Sequence, residues 1–203
     1  MDDYITQTIA VYDKIAPSYA KEVASHAPRI QRRHFCSLIK RGGKILDVGC
    51  GSGRDCAYFI KKGYETTGVD LSDKLLEIAR ETVPEATFLK QDIRALSFLP
   101  NSFDGIWACA SLLHIKHYEI LATLRSWFTL LKSGGILFIH VKKGEGEVER
   151  EDPSIPGVKR SFSLFSKKQI GIYCNDAGFT VFSTHEYIGS YDLCWIDCWA
   201  KKI

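Results

Sequence analysis

The features that would assign the chain to a membrane or to a secretory route are missing. The 203 residues contain no apolar run near the roughly 18 residues that a membrane-spanning helix needs. Residues 1–8 are polar and acidic, and therefore do not resemble a signal peptide. We expect a cytoplasmic protein that has no membrane partner.

The cysteines show no pairing pattern. There are seven of them, at irregular spacing. Cys194 and Cys198 share a predicted strand, in which four residues span about 13 Å at ~3.3 Å per residue. That separation is too large for a disulfide or a shared metal ion. We therefore expect free thiols in a reducing compartment and no metal site.

Strong net charge is also missing. The formal charge is +3 at pH 7, and the 27 lysines and arginines are scattered along the chain. A nucleic-acid-binding surface would need them clustered. The densest group lies between Arg29 and Lys44, and we interpret it as the solvated side of a helix. We do not expect a nucleic-acid partner.

From Lys44 onward, short apolar runs typical of buried strands alternate with segments of helical spacing. The predicted strands are Lys44–Val48, Glu65–Asp70, Ala86–Leu89, Phe103–Ala108, Ile136–Val141, Thr180–Tyr187 and Cys194–Lys201. The predicted helices between them are Arg54–Lys62, Lys74–Thr82, His117–Leu131 and Ser166–Ala177. The last two strands are separated only by Ile188–Asp192 and should pair antiparallel. This order predicts an α/β fold with a doubly wound, seven-stranded, mostly parallel sheet that ends in an antiparallel hairpin.

Two segments depart from this alternation. Residues 1–41 are predicted to hold a first helix, which Pro17 breaks, and a second helix at about residues 27–39. We expect this helical segment to stand apart from a domain formed by residues 42–203. Residues 143–161 are polar and acidic, with interspersed glycines and prolines, and are predicted to form a long loop.

The most specific motif is the glycine run that joins the first strand to the first helix after it. Gly49, Gly51 and Gly53 are spaced as G-x-G-x-G. A dinucleotide fingerprint needs a glycine at the position of Arg54, and a phosphate-binding P-loop needs Gly-Lys-Ser/Thr. Neither is present. Glycines without a Cβ let a ligand approach the backbone closely.

Acidic side chains follow the first three strands. Asp47 and Asp70 end the first two, and Asp92 lies just beyond the third. Ligands of doubly wound sheets bind at the carboxyl ends of the strands, so we expect these acids to surround one ligand. Asp47 suits a cationic group, Asp70 the ribose hydroxyls of a nucleoside, and Asp92 an adenine amine, against whose ring Ile93 can lie. Taken singly, each acid is equally explained as a helix N-cap.

With these motifs the chain resembles the class I S-adenosylmethionine (SAM)-dependent methyltransferases over about residues 35–203. The family's glycine motif matches Leu46–Gly53, its strand-four motif matches Phe103–Trp107, and its strand-five region matches Leu131–Gly135, where Ser133 replaces the usual proline. The resemblance implies SAM as cofactor and S-adenosylhomocysteine (SAH) as product. The cofactor-binding residues that it implies are Asp47, Gly49, Cys50, Gly51, Gly53, Asp70, Leu71, Ser72, Gln91, Asp92, Ile93 and Ala108.

Two further motifs resemble a subgroup of that family. Gly53-Arg54-Asp55 occurs in tellurite-resistance-like and other small-molecule methyltransferases, and the segment Tyr12–Tyr19 is similar to their lid. The resemblance therefore implies that residues 1–41 form a helical lid and that the methyl acceptor is a small molecule.

Methyl transfer needs mainly alignment and exclusion of water, and a general base only where the acceptor is protonated. No Ser-His-Asp or Cys-His arrangement is evident. The catalytic candidates are His114, which follows the fourth strand and can act as a base near neutral pH, and Tyr19 in the predicted lid. His114 could also cap the next helix or line the wall of the site. We interpret His140, inside the fifth strand, as a hydrogen-bonded core residue.

The remaining candidates are charged or aromatic. Arg160 could bind an acceptor carboxylate or phosphate, or form an ion pair with the acidic segment Glu145–Asp152. Trp195 and Trp199 share one face of the last strand and are interpreted as core residues.

Two functional alternatives stay open beside a small-molecule methyltransferase. One is an RNA base methyltransferase with the same fold. The small net charge, the acidic segment and the lack of an Asn/Asp-Pro-Pro-Tyr motif after Ala108 argue against it. The other is a protein that binds SAM or SAH without catalysis.

Overall fold

Helices and strands alternate through most of the chain, and the computed structural model describes residues 3–152, 155–189 and 192–203. The helices of this part are α1 (Asp3–Ser25), α2 (Arg29–Leu38), α3 (Arg54–Lys61), α4 (Asp73–Thr82), α5 (His117–Leu130) and α6 (Lys167–Asp176). Its strands are β1 (Lys44–Val48), β2 (Glu65–Asp70), β3 (Thr87–Lys90), β4 (Phe103–Cys109), β5 (Leu131–Lys142), β6 (Glu147–Asp152), β7 (Ile155–Ser163), β8 (Thr180–Ile188) and β9 (Cys194–Lys201). Among these helices, none has the length and apolar character needed to cross a membrane.

The main sheet has the predicted architecture. Its seven strands run in the order β3-β2-β1-β4-β5-β9-β8. β1 to β5 are mutually parallel, whereas β9 is antiparallel to both β5 and β8. The strand order reverses between β1 and β4, which is where a doubly wound sheet opens a crevice at the carboxyl ends of its strands.

Side chains of β5 alternate between two cores, one on each face of the sheet. Phe138 joins Trp107 and Trp199 in an aromatic cluster that α2 and α3 cover. Ile139 and its odd-numbered neighbours face a larger core that includes Trp127 of α5. Because both faces are covered, the strand is apolar along most of its length.

The predicted break at Pro17 is wrong. α1 continues from Asp3 through Pro17 to Ser25. Proline removes one hydrogen bond and bends a helix but need not end it when tertiary contacts hold both halves. Here Ile5 and Ala16, which precede the ring, are both buried, and after it the Val23 carbonyl oxygen accepts a hydrogen bond from Arg54 at 3.3 Å.

The predicted loop at residues 143–161 is also wrong, because β6 and β7 pair there as an antiparallel hairpin. Val148 lies opposite Phe162, and both contact the core, while Glu151 lies opposite Lys159. An apolar pair on one face and opposite charges across the strands stabilise a hairpin whose composition is otherwise that of a loop. Residues 153–154 of this segment, and residues 190–191 of the predicted connection between β8 and β9, lie outside the described residues.

A buried ion cluster joins α2, α3 and β4. The Asp55 carboxylate accepts hydrogen bonds from Arg54 (2.6 and 3.1 Å), Arg32 (3.2 Å) and the indole N–H of Trp107 (2.9 Å). Burial by itself would raise the pKa of Asp55, but the two guanidinium groups and the indole N–H outweigh it, and the pKa lies below its usual value. The carboxylate is therefore charged at neutral pH, and its contribution to stability is lost as the pH falls through this lowered pKa.

We predict that Asp55→Asn lowers the free energy of unfolding by about 3–5 kcal/mol at pH 7, because it leaves buried guanidinium groups without their anion. Urea denaturation measures this. Asp73→Asn is the matched control, since Asp73 forms an exposed ion pair with Lys90, and should cost under about 1 kcal/mol. Equal losses in the two variants would contradict the assignment.

Candidate active site

Two adjoining cavities open beside the carboxyl ends of β1 and β4. The larger one has a volume of about 580 Å³ and the smaller one about 110 Å³. We call the surface that belongs to both of them the junction. The residues of the junction are Tyr12, Tyr19, Gly49, Gly51, Cys109, Ala110 and His114.

Asp70 stands at the end of β2, in the wall of the small cavity. One carboxylate oxygen accepts from the backbone N–H of Gly51 at 2.8 Å, and the other accepts from the N–H groups of Leu71 (2.8 Å) and Ser72 (2.9 Å). Burial raises the pKa of Asp70 above its usual value, although these three donors act in the opposite direction. A carboxylate offers about four acceptor sites, so Asp70 can still accept from a ligand hydroxyl.

The far end of the small cavity carries Asp92 and Ile93. Arg94 binds the Asp92 carboxylate through Nε and Nη2, at distances of 3.1 and 2.7 Å, and bridges to Glu119 at 2.5 Å. The charge of Asp92 is therefore balanced within the protein. Beside it, Ile93 and Leu71 supply apolar surface for a flat ring.

Asp47 lies on the other side of the glycine run, in the wall of the large cavity. It is buried, and the Cys56 thiol lies 3.2 Å from its Oδ2. Burial, together with the nearby negative charge of Asp55, raises the pKa of Asp47 well above its usual value. A cationic group bound beside it would lower that pKa and restore the carboxylate. Asp47 and Asp70 thus suit two different groups of one elongated ligand.

The glycines of the run have different tasks. Gly51 has φ +53°, and a Cβ added there would meet only Leu75 and Tyr19, both at 3.9 Å, so open space lies in front of its backbone. A Cβ on Gly53 would lie 3.0 Å from Phe88, which makes this glycine a packing residue at the start of α3. Room for a ligand is therefore present beside the Gly51 backbone, whereas Phe88 fills the space beside Gly53.

Four of the predicted cofactor-binding residues, Leu71, Ser72, Gly49 and Cys50, line one or both cavities. Gly53, Gln91 and Ala108 are outside both linings. The Gln91 amide oxygen accepts from the backbone N–H of Ser97 at 2.8 Å, and Ala108 is fully buried inside β4. The two residues after Ala108 line the junction instead.

The lining of the two cavities suits the chemistry of an adenosyl amino acid. Acids stand at both ends, apolar side chains line the small cavity, and the backbone at Gly51 is bare. The buried Ser111 hydroxyl adds an orphaned polar atom: within the described residues it has no hydrogen-bond partner. A ligand in the small cavity would supply one.

His114 lies at the junction within a hydrogen-bonded chain. Arg160 donates to the Tyr12 hydroxyl at 2.5 Å, and this hydroxyl lies 2.9 Å from His114 Nε2. His114 Nδ1 lies 3.2 Å from the carbonyl oxygen of Ser161. Because a carbonyl only accepts, Nδ1 carries the proton, Nε2 accepts from Tyr12, and both ring nitrogens are engaged.

Tyr19 also lies at the junction, with its ring edge-on to Tyr12 at 5.1 Å between centroids. Burial raises the pKa of Tyr19 well above 10. A phenolate base is therefore unfavourable there, and the position suits a neutral ring that covers a ligand.

The far wall of the large cavity contains residues that were predicted to lie in the core or were not predicted to belong to a site. His140 is buried and hydrogen-bonded, as predicted, yet it also lines the cavity. Trp195 lines the cavity too, whereas Trp199 lies in the core as predicted. The alternation of side chains along β5 could have predicted that His140 lines the cavity, because residue 140 shares its face with Lys142 at the carboxyl end of the strand.

Two cations face the same aromatic ring in this wall. Lys142 Nζ lies 3.7 Å, and the Arg160 guanidinium carbon 5.2 Å, from the centroid of Phe162. Both side chains are almost fully buried and line the large cavity. The cavity wall is therefore aromatic and positively charged at this point.

We predict that Asp70→Asn weakens SAH binding by about 1–3 kcal/mol, a 5- to 150-fold increase in Kd, because it removes a charged acceptor. Isothermal titration calorimetry measures the effect. Asp73→Asn, three residues away and exposed, is the control and should bind SAH normally. Unchanged affinity in Asp70→Asn would show that the nucleoside lies elsewhere.

Known proteins resemble this chain in sequence. A family model described as a methyltransferase domain matches residues 45–135. YqeM of Bacillus subtilis, a protein assigned as a methyltransferase, is 34% identical over 137 residues, which are 64% of this chain and 55% of YqeM. The chain thus spans about half the length of that relative.

Solved structures have the same fold. The 1,6-didemethyltoxoflavin-N1-methyltransferase of Burkholderia thailandensis, solved with its acceptor and SAH, superposes with a TM-score of 0.75 at 20% identity, over 98% of this chain and 89% of that one. A TehB-like SAM-dependent methyltransferase of Corynebacterium glutamicum gives a TM-score of 0.67 at 21% identity, over 85% and 86% of the two chains. Family model, relatives and fold thus agree on a methyltransferase domain, which the family model matches over residues 45–135.

Proposed function

We propose that this chain transfers the methyl group of SAM to a small-molecule acceptor bound in the large cavity. The observation that carries the proposal is the junction, because a ligand in the small cavity and a ligand in the large cavity would meet only there. SAM supplies an electrophilic methyl group attached to a sulfonium. The task of the protein is then to align the two ligands and to exclude water.

Residues on both sides of the glycine run would hold the cofactor. Ile93 and Asp92 suit the adenine, Asp70 the ribose hydroxyls and Asp47 the ammonium group. A cofactor held at these points would extend from the small cavity past Gly51 into the large one. Its reactive end would then face Tyr12 and His114.

Three features favour a small acceptor. A volume of about 580 Å³ lies within the usual range of small-molecule sites, roughly 300–1,000 Å³. α1 and β7 wall the cavity through Tyr12 and Phe162, which leaves little room for a duplex. The similar Burkholderia enzyme was solved with a small heterocycle.

An RNA acceptor is the second candidate, and the surface argues against it. Glu147, Glu149 and Glu151 are exposed on β6, next to the cavity wall formed by β7. Carboxylates there would repel a phosphate backbone. A gel shift with total tRNA at two salt concentrations tests this, and we expect no salt-sensitive complex.

We also propose that α1 acts as the lid. Asp13 accepts from the Ser72 hydroxyl at 2.6 Å and from the backbone N–H of Lys74 at 3.3 Å, so it ties α1 to the start of α4. Ile5, Ile9, Tyr12 and Tyr19 of the same helix line the cavities. Ligand exchange would require this tether to open.

The activity is tested with SAM that carries a radiolabelled methyl group, against phenols, ring N–H heterocycles, amines, thiols, carboxylates and tellurite. We expect SAH to bind in calorimetry and at least one acceptor class to become labelled. Binding of SAH without labelling of any class would favour a non-catalytic SAH-binding protein, and failure to bind either SAM or SAH would exclude the proposal.

For the lid, we predict that Asp13→Ala raises the SAH dissociation rate about 3- to 10-fold, as expected for the loss of one or two hydrogen bonds to a charged acceptor. Stopped-flow displacement measures the rate. Lys14→Ala removes the exposed neighbouring side chain and should leave the rate unchanged. If the two variants behave alike, α1 does not control exchange.

A further inference from the structure

The far wall of the large cavity holds a histidine–carboxylate pair that the proposed function leaves without a task. His140 on β5 and Asp197 on β9 are register partners, and His140 Nδ1 lies 2.7 Å from Asp197 Oδ1. Both residues are buried, at 7% and 4% exposure, yet His140 lines the cavity. A carboxylate beside Nδ1 fixes the proton on that nitrogen. In the neutral ring, Nε2 then remains as the basic atom.

Surrounding groups fix this pair in place. Gln31 donates to the second oxygen of Asp197 at 2.9 Å and to the Tyr187 hydroxyl at 3.0 Å. The imidazole stacks on Trp195 with 4.3 Å between centroids and 10° between planes. These contacts are more than a buried histidine needs to satisfy its hydrogen bonds. They hold the imidazole in one orientation, as a general base is held for proton transfer.

Four titratable or charged groups surround the His140 ring. The titratable or charged groups that face it are Asp197 on β9, Tyr187 on β8, Cys109 on β4 and Lys142 on β5. Burial raises the pKa of Tyr187 well above 10 and that of Cys109 to about 12, so both are neutral at neutral pH. Asp197 therefore places a negative charge next to the ring, and Lys142 places a positive charge in the same cavity wall.

The pair also lies close to the junction. Cys109 is the register partner of His140 on the neighbouring strand, and the N–H of Ala110 donates to the His140 carbonyl at 2.9 Å. Neighbouring strands lie about 4.8 Å apart, so His140 is one strand away from the residues that both cavities share. His114 is nearer, but its two nitrogens are engaged with Tyr12 and Ser161.

We propose that His140, positioned by Asp197, is the general base of methyl transfer, and that the acceptor is a planar weak acid with a phenolic or enolic O–H or a ring N–H. This rests on the proposed function. The acceptor's lone pair forms the new bond to the methyl carbon, the electrons of the broken C–S bond stay on sulfur, and the acceptor proton passes to Nε2 and then to solvent. The aromatic wall suits a planar ring, and Lys142 and Arg160 favour the developing negative charge.

The first test reads the tautomer without turnover. In protein labelled with ¹⁵N-histidine and saturated with SAH, we expect the His140 ring to carry its proton on Nδ1 with a bare Nε2, its signals being assigned by their loss in His140→Gln. A ring protonated on Nε2 and bare at Nδ1 would overturn the proposal, whether or not the variant folds well enough for kinetics.

The second test measures labelling of catechol and xanthine, which carry a proton on the nucleophile, and of benzoate and dimethyl sulfide, which do not. We expect labelling of a proton-bearing acceptor, a loss of about 10²- to 10⁴-fold in His140→Gln, and an unchanged Kd for SAH. The wild-type rate should rise with pH to a plateau, and that inflection should vanish in the variant. His34→Gln, an exposed histidine outside both cavities, is the control.

The outcomes separate the two proposals. Labelling of only benzoate or dimethyl sulfide, or full activity of His140→Gln on a proton-bearing acceptor, would overturn the role of His140 and leave the methyltransferase proposal intact. If SAH binds but the wild type labels none of the acceptors in the wider screen, both proposals fall together.

Discussion

The hydrogen bond from the Gly51 N–H to the Asp70 carboxylate is the interaction on which the site depends. It joins the turn after β1 to the end of β2, and the same carboxylate holds the first two backbone N–H groups after that strand. These hydrogen bonds hold the ends of β1 and β2 together at one edge of the sheet. The backbone of Gly51, which has no side chain, lies there between the two cavities. Burial opposes the charge of Asp70, while the backbone donors favour it. A ligand with hydroxyl donors would add to the favourable side.

A second buried carboxylate stabilises the same region. Asp55, at the start of α3, accepts hydrogen bonds from two guanidinium groups and an indole N–H. These bonds hold α3, the helix that follows the glycine run, in place. Arg54 of this cluster also lines the large cavity. The charge that holds the fold together is therefore part of the wall that a ligand would contact, which ties stability to the shape of the site.

Much of the fold could be predicted because its signals are local. The strands of the parallel sheet are short apolar runs with glycine or polar boundaries. Helix α4 begins with a residue type that is common at helix starts, since the Ser72 hydroxyl accepts from the Leu75 N–H at 3.1 Å. The continuation of α1 past Pro17 and the β6–β7 hairpin were missed because tertiary contacts outweigh local preference there. Pro17 is tolerated by a helix held along both halves, and an acidic segment forms strands because Val148 and Phe162 reach the core.

A site residue could be predicted only where its position at the end of a strand already places it at the edge of the sheet. The positions of Asp47, Asp70 and Asp92 could be predicted because each lies at or just after the end of a strand. Gln91 and Ala108 also lie near strand ends, but their side chains do not line the cavities. The pairing of His140 with Asp197 depends on β9 lying next to β5 in a specific register, which periodicity within one strand does not reveal. Long-range pairs of this kind need the sheet order before they can be recognised.

The most direct test is a crystal structure of the protein with SAH. We expect the adenine against Ile93, the ribose hydroxyls at Asp70, the amino group at Asp47 and the sulfur at the junction beside Tyr12. A complex whose adenine occupies the large cavity, or whose sulfur lies away from the junction, would contradict the arrangement on which every functional argument above depends.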